Sequence, residues 1–283
     1  MTYLMSAILG VVQGVAEFLP ISSSGHLTLL QHFFGMEEPD QLFNILLHFA
    51  TLLAVCIYYF QDVLGMILEF FRGIAAMFSR QPGQGEPPEA RRLVFLVIVG
   101  TLPLFLILPV KKYVEGLGSS PVFVSFALLV TGCILFLSDR MATGRKTARS
   151  ATVKDVLLVG VAQGIATIPG LSRSGCTISA GMALGFRREF AVRYSFLMSL
   201  PAVFGATLLE VKDTLSAGAG IPDGMLGKYL LGMVIAGVVG YFAIRLVNLL
   251  ADKGKFGAFA YYCWIAGAIF LVLSLLGVTF VHA

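Results

Sequence analysis

Charge is what this chain has least of. Only 13% of its 283 residues are Asp, Glu, Lys or Arg, while 57% are hydrophobic; a soluble globular domain carries roughly 25% charged residues. With a mean hydropathy of +0.87, that scarcity excludes an ordinary water-soluble domain, and no nucleic-acid partner is expected. Cysteine is scarce as well. Cys56, Cys133, Cys176 and Cys263 stand singly in apolar stretches, without metal-ligand spacing, and read as small buried hydrophobes. Met1 to Val12 lacks both a basic n-region and a small-residue cleavage site. No cleavable signal peptide is therefore expected, and the spans themselves must direct insertion.

What the chain has in quantity is apolar sequence. Six stretches, near 42–60, 91–109, 121–138, 190–210, 229–250 and 257–280, are long enough to cross a hydrocarbon core of about 30 Å. Two more, 4–34 and 153–185, are apolar but interrupted, by Pro20 to Gly25 and by Pro169 to Gly175. Non-helical backbone at membrane depth is tolerated only where protein or a water-filled cavity satisfies its N–H and C=O groups. Both are therefore expected to be re-entrant helical hairpins. Residues 62–79 suit an interfacial helix, and the Pro and Gly of 81–90 predict a loop.

The interrupted segments are copies of one another. Residues 10–25 and 160–175 align without a gap and agree at eight of sixteen positions: Gly10, Val11, Gln13, Gly14, Ala16, Ser22, Ser24 and Gly25. Where they differ, Glu17 faces Thr167, Ser23 faces Arg173 and, just beyond, His26 faces Cys176. Each half is then one hairpin plus three crossings. Three is odd, so the second half must be inverted relative to the first. The expected fold is an all-α polytopic membrane protein, one integral-membrane domain over 1–283 with repeats of about 1–140 and 150–283.

The basic residues agree with that parity. With the N-terminus outside, fifteen lie inside: Arg72, Arg80, Arg91, Arg92, Arg140, Arg145, Lys146, Arg149, Lys154, Arg187, Arg188, Arg193, Arg245, Lys253 and Lys255. Only four, Lys111, Lys112, Lys212 and Lys228, lie outside. Such a bias predicts both termini and the opening of the first hairpin on the extracytoplasmic side. Arg173 fits neither group, because it sits at the tip of the second hairpin.

In this arrangement the two tips meet near the midplane. Glu17 is an intramembrane carboxylate, which by default marks function; metal ligand, general base and structural partner of Arg173 are all open to it. Gln13, one turn earlier on the same face, could add an amide oxygen for a hard cation. Gln163 occupies the same place in the second copy, so a packing role is equally open to both. Ser22, Ser23 and Ser24 stand at the start of a half-helix, and Ser23 is the favoured nucleophile because the second copy matches the other two. His26 fits base, leaving-group acid or nucleophile. Arg173 offers a planar fork suited to phosphate oxygens, with Ser172, Ser174 and Thr177 around it and Gly25 and Gly175 allowing close backbone approach. Two half-helix N-termini add partial positive charge. His48, with Asn44 one turn earlier, reads as packing, while His32 and His282 carry no signal. Gly181 and Gly185 form a small-xxx-small pair suited to intramolecular packing rather than a dimer seam; a homodimer is left open.

At Gln13 to His26 (Gln-x-x-x-Glu, Phe-Leu-Pro-x-Ser-Ser-x-Gly-His) and at Pro169 to Thr177 (Pro-Gly-x-Ser-Arg-Ser-Gly-x-Thr), the chain closely resembles the bacterial undecaprenyl-diphosphate phosphatase family, also called bacitracin-resistance proteins. The resemblance runs the length of the chain. It implies a metal-dependent inner-membrane hydrolase, using Mg²⁺ or Ca²⁺, that converts undecaprenyl diphosphate to undecaprenyl phosphate. That step recycles the lipid carrier of peptidoglycan synthesis and offsets bacitracin. Residue by residue it implies catalysis and cation binding at Glu17, an active site containing Ser22, Ser23 and His26, and diphosphate binding at Arg173 with Ser172, Ser174 and Thr177 beside it. Position 13 departs from the pattern of many members, with Gln in place of Glu, which leaves one carboxylate fewer for the metal. A lipid-carrier flippase on the same inverted repeat is the rival expectation; transport alone gives no reason for Ser23 and His26 beside Glu17.

Overall fold

Proline, glycine and serine decide where these apolar helices stop. A computed structural model describes residues 1–34, 40–78, 88–141, 143–216, 221 and 223–278. The first interrupted segment is α1 (Tyr3–Phe18) and α2 (Ser23–Phe33), separated by the turn through Pro20; α3 (Gln41–Tyr58) and α4 (Phe60–Phe78) follow. Then come α5 (Glu89–Thr101), the short α6 (Lys111–Gly116) and α7 (Pro121–Met141). The second interrupted segment is α8 (Val153–Ile165) and α9 (Arg173–Ala183), followed by α10 (Arg188–Ser216), α11 (Leu226–Asp252) and α12 (Ala258–Leu275). No strand forms among the described residues; an isolated bridge joins Lys146 to Phe186.

Among the described residues, six segments are long and apolar enough to cross a membrane: Gln41–Tyr58, Glu89–Val110, Pro121–Met141, Arg188–Thr214, Leu226–Asp252 and Ala258–Leu275. They coincide with the six expected crossings. The second is not uniform. Beyond Thr101 it tightens into 3₁₀ turns, Leu102–Leu106 and Leu108–Val110, because Pro103 and Pro109 have no N–H with which to continue the α-helical ladder. The expected interfacial helix is α4, which exposes Phe60, Leu64, Ile67, Phe71 and Ile74. Of the expected loop 81–90, residues 81–87 lie outside the described residues, and Glu89 already opens α5. Arg80 and His282 also lie outside them.

The halves pack through glycine. A Cβ on Gly10 would stand 2.6 Å from the carbonyl oxygen of Gly232, and one on Gly160 would stand 2.1 Å from that of Gly100. Thus α1 lies against α11 and α8 against α5 at backbone distance. Without a hydrophobic drive between helices in lipid, close small-residue contact is a main source of attraction. A Cβ on Gly181 would meet Phe186 and Ala191, so that position serves packing within the chain. The largest core cluster draws Phe18, Leu96 and Leu135 from the first half and Ile178, Phe196 and Phe256 from the second.

Ion pairs tie one end of the bundle. Arg193 on α10 bonds Asp62 of α4 and Glu89 of α5 at 2.6 and 3.0 Å. Glu69 takes Arg72 and Arg91, each near its own carboxylate oxygen, and Arg188 pairs with Asp139. Asp155 completes a capping box with Thr152 at the start of α8 and receives Lys146 at 2.9 Å. Burial alone would raise its carboxyl, but the Thr152 N–H and the Lys146 ammonium outweigh that and hold it below the usual range.

Candidate active site

The two breaks are built alike and interlock. Ser22 caps α2 by accepting the Gly25 N–H at 3.2 Å, and Ser172 caps α9 by accepting the Gly175 N–H at 3.1 Å. The caps account for why the half-helices begin at Ser23 and Arg173, where the sequence placed them. The Ser22 hydroxyl donates to the Leu171 carbonyl at 3.3 Å, and the Ser174 hydroxyl donates to the Leu19 carbonyl at 3.4 Å. A Cβ on Gly25 would touch Gly170, and one on Gly175 would touch Pro20. These two contacts exchange places under the 150-residue offset of the repeat. Neighbouring helices satisfy further backbone groups: Thr131 of α7 donates to the Gly170 carbonyl and accepts the Ser172 N–H, both at 3.2 Å, and Cys263 of α12 bonds the Pro20 carbonyl. Irregular backbone is thereby sheltered by protein. Ser22 itself has φ 70°, a region non-glycine residues seldom adopt.

Glu17 is the polar centre. Its side chain is 7% exposed, and each oxygen has partners. Oε1 takes the Arg173 guanidinium at 2.6 Å. Oε2 accepts the Ser23 hydroxyl at 2.7 Å and the Gln13 amide at 3.1 Å, with His48 Nε2 at 3.6 Å. The Glu17–Arg173 pair joins the two halves. Its counterpart under the repeat offset is Thr167 with Ser23, so one diagonal of the junction is charged and the other carries hydroxyls.

A cavity of about 530 Å³ opens beside this pair. Its polar wall is Glu17, Ser23, Ser24, His48, Gln163, Thr167, Ser172 and Arg173. Thr101 also lines it, and the remainder is apolar, chiefly Leu104, Phe105, Ile107 and Leu108 of the 3₁₀ region and Pro201, Val203, Ala206 and Leu209 of α10. An ion-pairing floor continuous with an apolar wall suits an amphiphile with an anionic head and a hydrocarbon tail.

Known proteins match the chain over nearly its whole length. The family model described as bacitracin resistance protein BacA matches residues 6–269. Among curated relatives, an undecaprenyl-diphosphatase of Halothermothrix orenii is 41% identical over 267 residues, covering 94% of this chain and 96% of its own. One of Desulforapulum autotrophicum is also 41% identical, over 270 residues, at 94% and 96% coverage. One of Methanosphaera stadtmanae is 39% identical over 280 residues, at 96% and 98% coverage. The chain belongs to the BacA family. With its six apolar crossings, this BacA-family chain is a multi-pass membrane protein.

Not every residue singled out in the sequence reaches the cavity. Glu17, Ser23, Ser24, Ser172 and Arg173 do. Ser22, Ser174, Gly25 and Gly175 build the interlocked breaks behind it. Thr177 is buried, bonded to the Arg173 carbonyl at 2.9 Å and to Ser195. His26 is turned to α12: its Nδ1–H donates to the Ser22 carbonyl and its Nε2 accepts the Tyr262 hydroxyl, both at 2.8 Å. Both ring nitrogens are therefore engaged away from Ser23. His48, expected only to pack, instead presents Nε2 to Glu17 while Nδ1–H donates to the Asn44 carbonyl at 2.8 Å. Its partner lies on another helix, so nothing in the local pattern of α3 could have shown this. Gln163 and Thr167 also line the cavity; the repeat alignment was the one signal available for them.

No group of three or more His, Cys, Asp or Glu side chains suited to a metal ion occurs among the described residues. The oxygens present nevertheless fit a hard divalent cation. Gln13 is fully buried, and its Oε1 has no hydrogen-bond partner among the described residues. Glu17 lies one turn on. One carboxylate and one amide oxygen, with substrate phosphates and water for the remainder, is the kind of set Mg²⁺ takes.

Proposed function

We propose that this chain removes the terminal phosphate of undecaprenyl diphosphate, the substrate in its relatives' names, and that Ser23 is the nucleophile. The observation carrying the second part is the 2.7 Å hydrogen bond from the Ser23 hydroxyl to Glu17. Glu17 accepts the serine proton as Oγ attacks the terminal phosphorus. The new Ser–O–P bond forms as the bond from that phosphorus to the bridging oxygen breaks, and undecaprenyl phosphate leaves. Water then hydrolyses the phosphoserine, releasing inorganic phosphate and restoring the hydroxyl. Arg173 binds terminal-phosphate oxygens through its planar fork, and the positive ends of α2 and α9 add to that field. Glu17 and Gln13 would hold a divalent cation, Mg²⁺ or Ca²⁺, which when bound offsets charge building on the phosphates. His26, fixed between Ser22 and Tyr262, holds the strained break in place.

The two halves act as one domain with inverted topology, each contributing one re-entrant hairpin. Reciprocal contacts between the breaks support that reading. The cavity is lined by the later parts of the second and fourth crossings, 101–108 and 201–209. The ion-paired Arg91 and Arg193 lie near the beginnings of those crossings. Under the positive-inside rule the cavity therefore opens away from the cytoplasm, where lipid carrier released by wall synthesis would reach it. Recycling that carrier would offset bacitracin.

The test is phosphate release from undecaprenyl or farnesyl diphosphate by purified protein in detergent with Mg²⁺ or Ca²⁺. Turnover is expected, with loss of about a thousandfold or more in Ser23→Ala. A ³²P label from the terminal phosphate should be trapped on Ser23 after a quench in SDS at neutral pH, which preserves phosphoserine and phosphohistidine alike. No phosphate release by the native protein sinks the activity, and label on His26 overturns the assignment of the nucleophile.

A further inference from the structure

We infer that Gln163 is a second-half ligand for the diphosphate head, contacting phosphate oxygens that Arg173 leaves free; this rests on the phosphatase reading above. Gln163 is 2% exposed, and neither its Oε1 nor its Nε2 has a hydrogen-bond partner among the described residues. Burying a carboxamide with donor and acceptor both unmet is unfavourable, and packing alone gives no reason to retain one. The repeat explains how the amide lost its partner. Gln13 donates to Glu17 one turn on, whereas Gln163 has Thr167 there, whose hydroxyl is committed to the Gly164 carbonyl at 2.7 Å. Gln163 and Thr167 both line the cavity that holds Arg173 and Ser23. An NH₂ group in that wall can donate to a phosphate oxygen without adding charge, and its carbonyl can accept from water. A polyprenyl diphosphate supplies the missing acceptor.

The variants are Gln163→Met, which keeps volume and removes both polar atoms, and Gln163→Glu, which keeps shape but sets a carboxylate against phosphate. Two quantities are read in detergent: steady-state phosphate release from farnesyl diphosphate, and melting temperature with and without non-hydrolysable farnesyl methylenediphosphonate. In Gln163→Met, KM should rise about tenfold or more. The ligand-free melting temperature should stay level or rise, because an unmet amide has gone, and the analogue should no longer raise it. Gln163→Glu should bind more weakly still. A Met variant with kcat/KM within twofold of native and a full analogue shift overturns the inference. So does activity lost only in step with a lowered ligand-free melting temperature, which is the signature of a packing residue. If native protein binds the analogue but releases no phosphate, the phosphatase reading fails while the melting shifts still decide Gln163. If native protein neither binds nor hydrolyses, both fall.

Discussion

A buried carboxylate and a guanidinium at 2.6 Å hold each other in place. Removing Arg173 leaves the Glu17 carboxylate buried with only the Ser23 hydroxyl, the Gln13 amide and His48 beside it. Breaking a buried pair typically costs about 3–5 kcal/mol, whereas removing both partners together costs far less. Arg173→Ala is therefore expected to lower the melting temperature as well as turnover, and Glu17→Gln with Arg173→Ala to recover stability without activity. If Arg173→Ala melts like the native protein, the pair contributes no stability. Arg173→Lys keeps charge but loses the fork, and turnover should fall by about a hundredfold. At this scale the sequence was informative where type and placement were both unusual. Glu17 in an apolar helix and Arg173 at a hairpin tip announced themselves, and the structure joins them. His48 did not, because a histidine in a span acquires meaning only from the carboxylate across from it. The partners of His26 were hidden in the same way: its spacing from Ser23 could not foretell Tyr262 on α12.

Helix ends and crossings were the most legible elements. The breaks were marked by Pro20 and Pro169, and Ser22 and Ser172 fixed the new starts by capping. Beyond Thr101 the second crossing departs from the uninterrupted span its apolar composition predicts, because Pro103 and Pro109 stand within it. That stretch shares the apolar side of the cavity with α10. Glycine contacts separate positions that bear on packing from those that do not. Gly160→Leu would drive a side chain into the Gly100 carbonyl, already only 2.1 Å from a bare Cβ. It should cost about 3 kcal/mol or prevent folding. Gly73 on α4 has nothing within 4 Å of an added Cβ, so Gly73→Ala should be neutral or stabilise by about 1 kcal/mol through helix propensity. Size-exclusion profiles and melting in detergent compare the two, and equal behaviour would show that the α5–α8 contact is not tightly packed.

For the whole molecule, Glu17 lies in one half and its partner Arg173 in the other, so neither half is expected to work alone. Chains divided after Met141 should insert but show no turnover above background when expressed alone, and co-expression should restore phosphate release. Activity from either fragment alone would contradict a site shared across the junction. The internal repeat was plain in the sequence; that Gly25 and Gly175 pack reciprocally against Gly170 and Pro20 was not, since reciprocity is a property of space rather than order. The same junction has a further consequence. Two identical tips would present a diphosphate with two equivalent seats, and the ligand could lie in either sense. Because one diagonal carries Glu17 with Arg173 and the other only Ser23 with Thr167, the seats differ. On the proposed mechanism, a substrate with a tail at one end would be read in a single direction, with the bond that breaks on the same side of Ser23 each time.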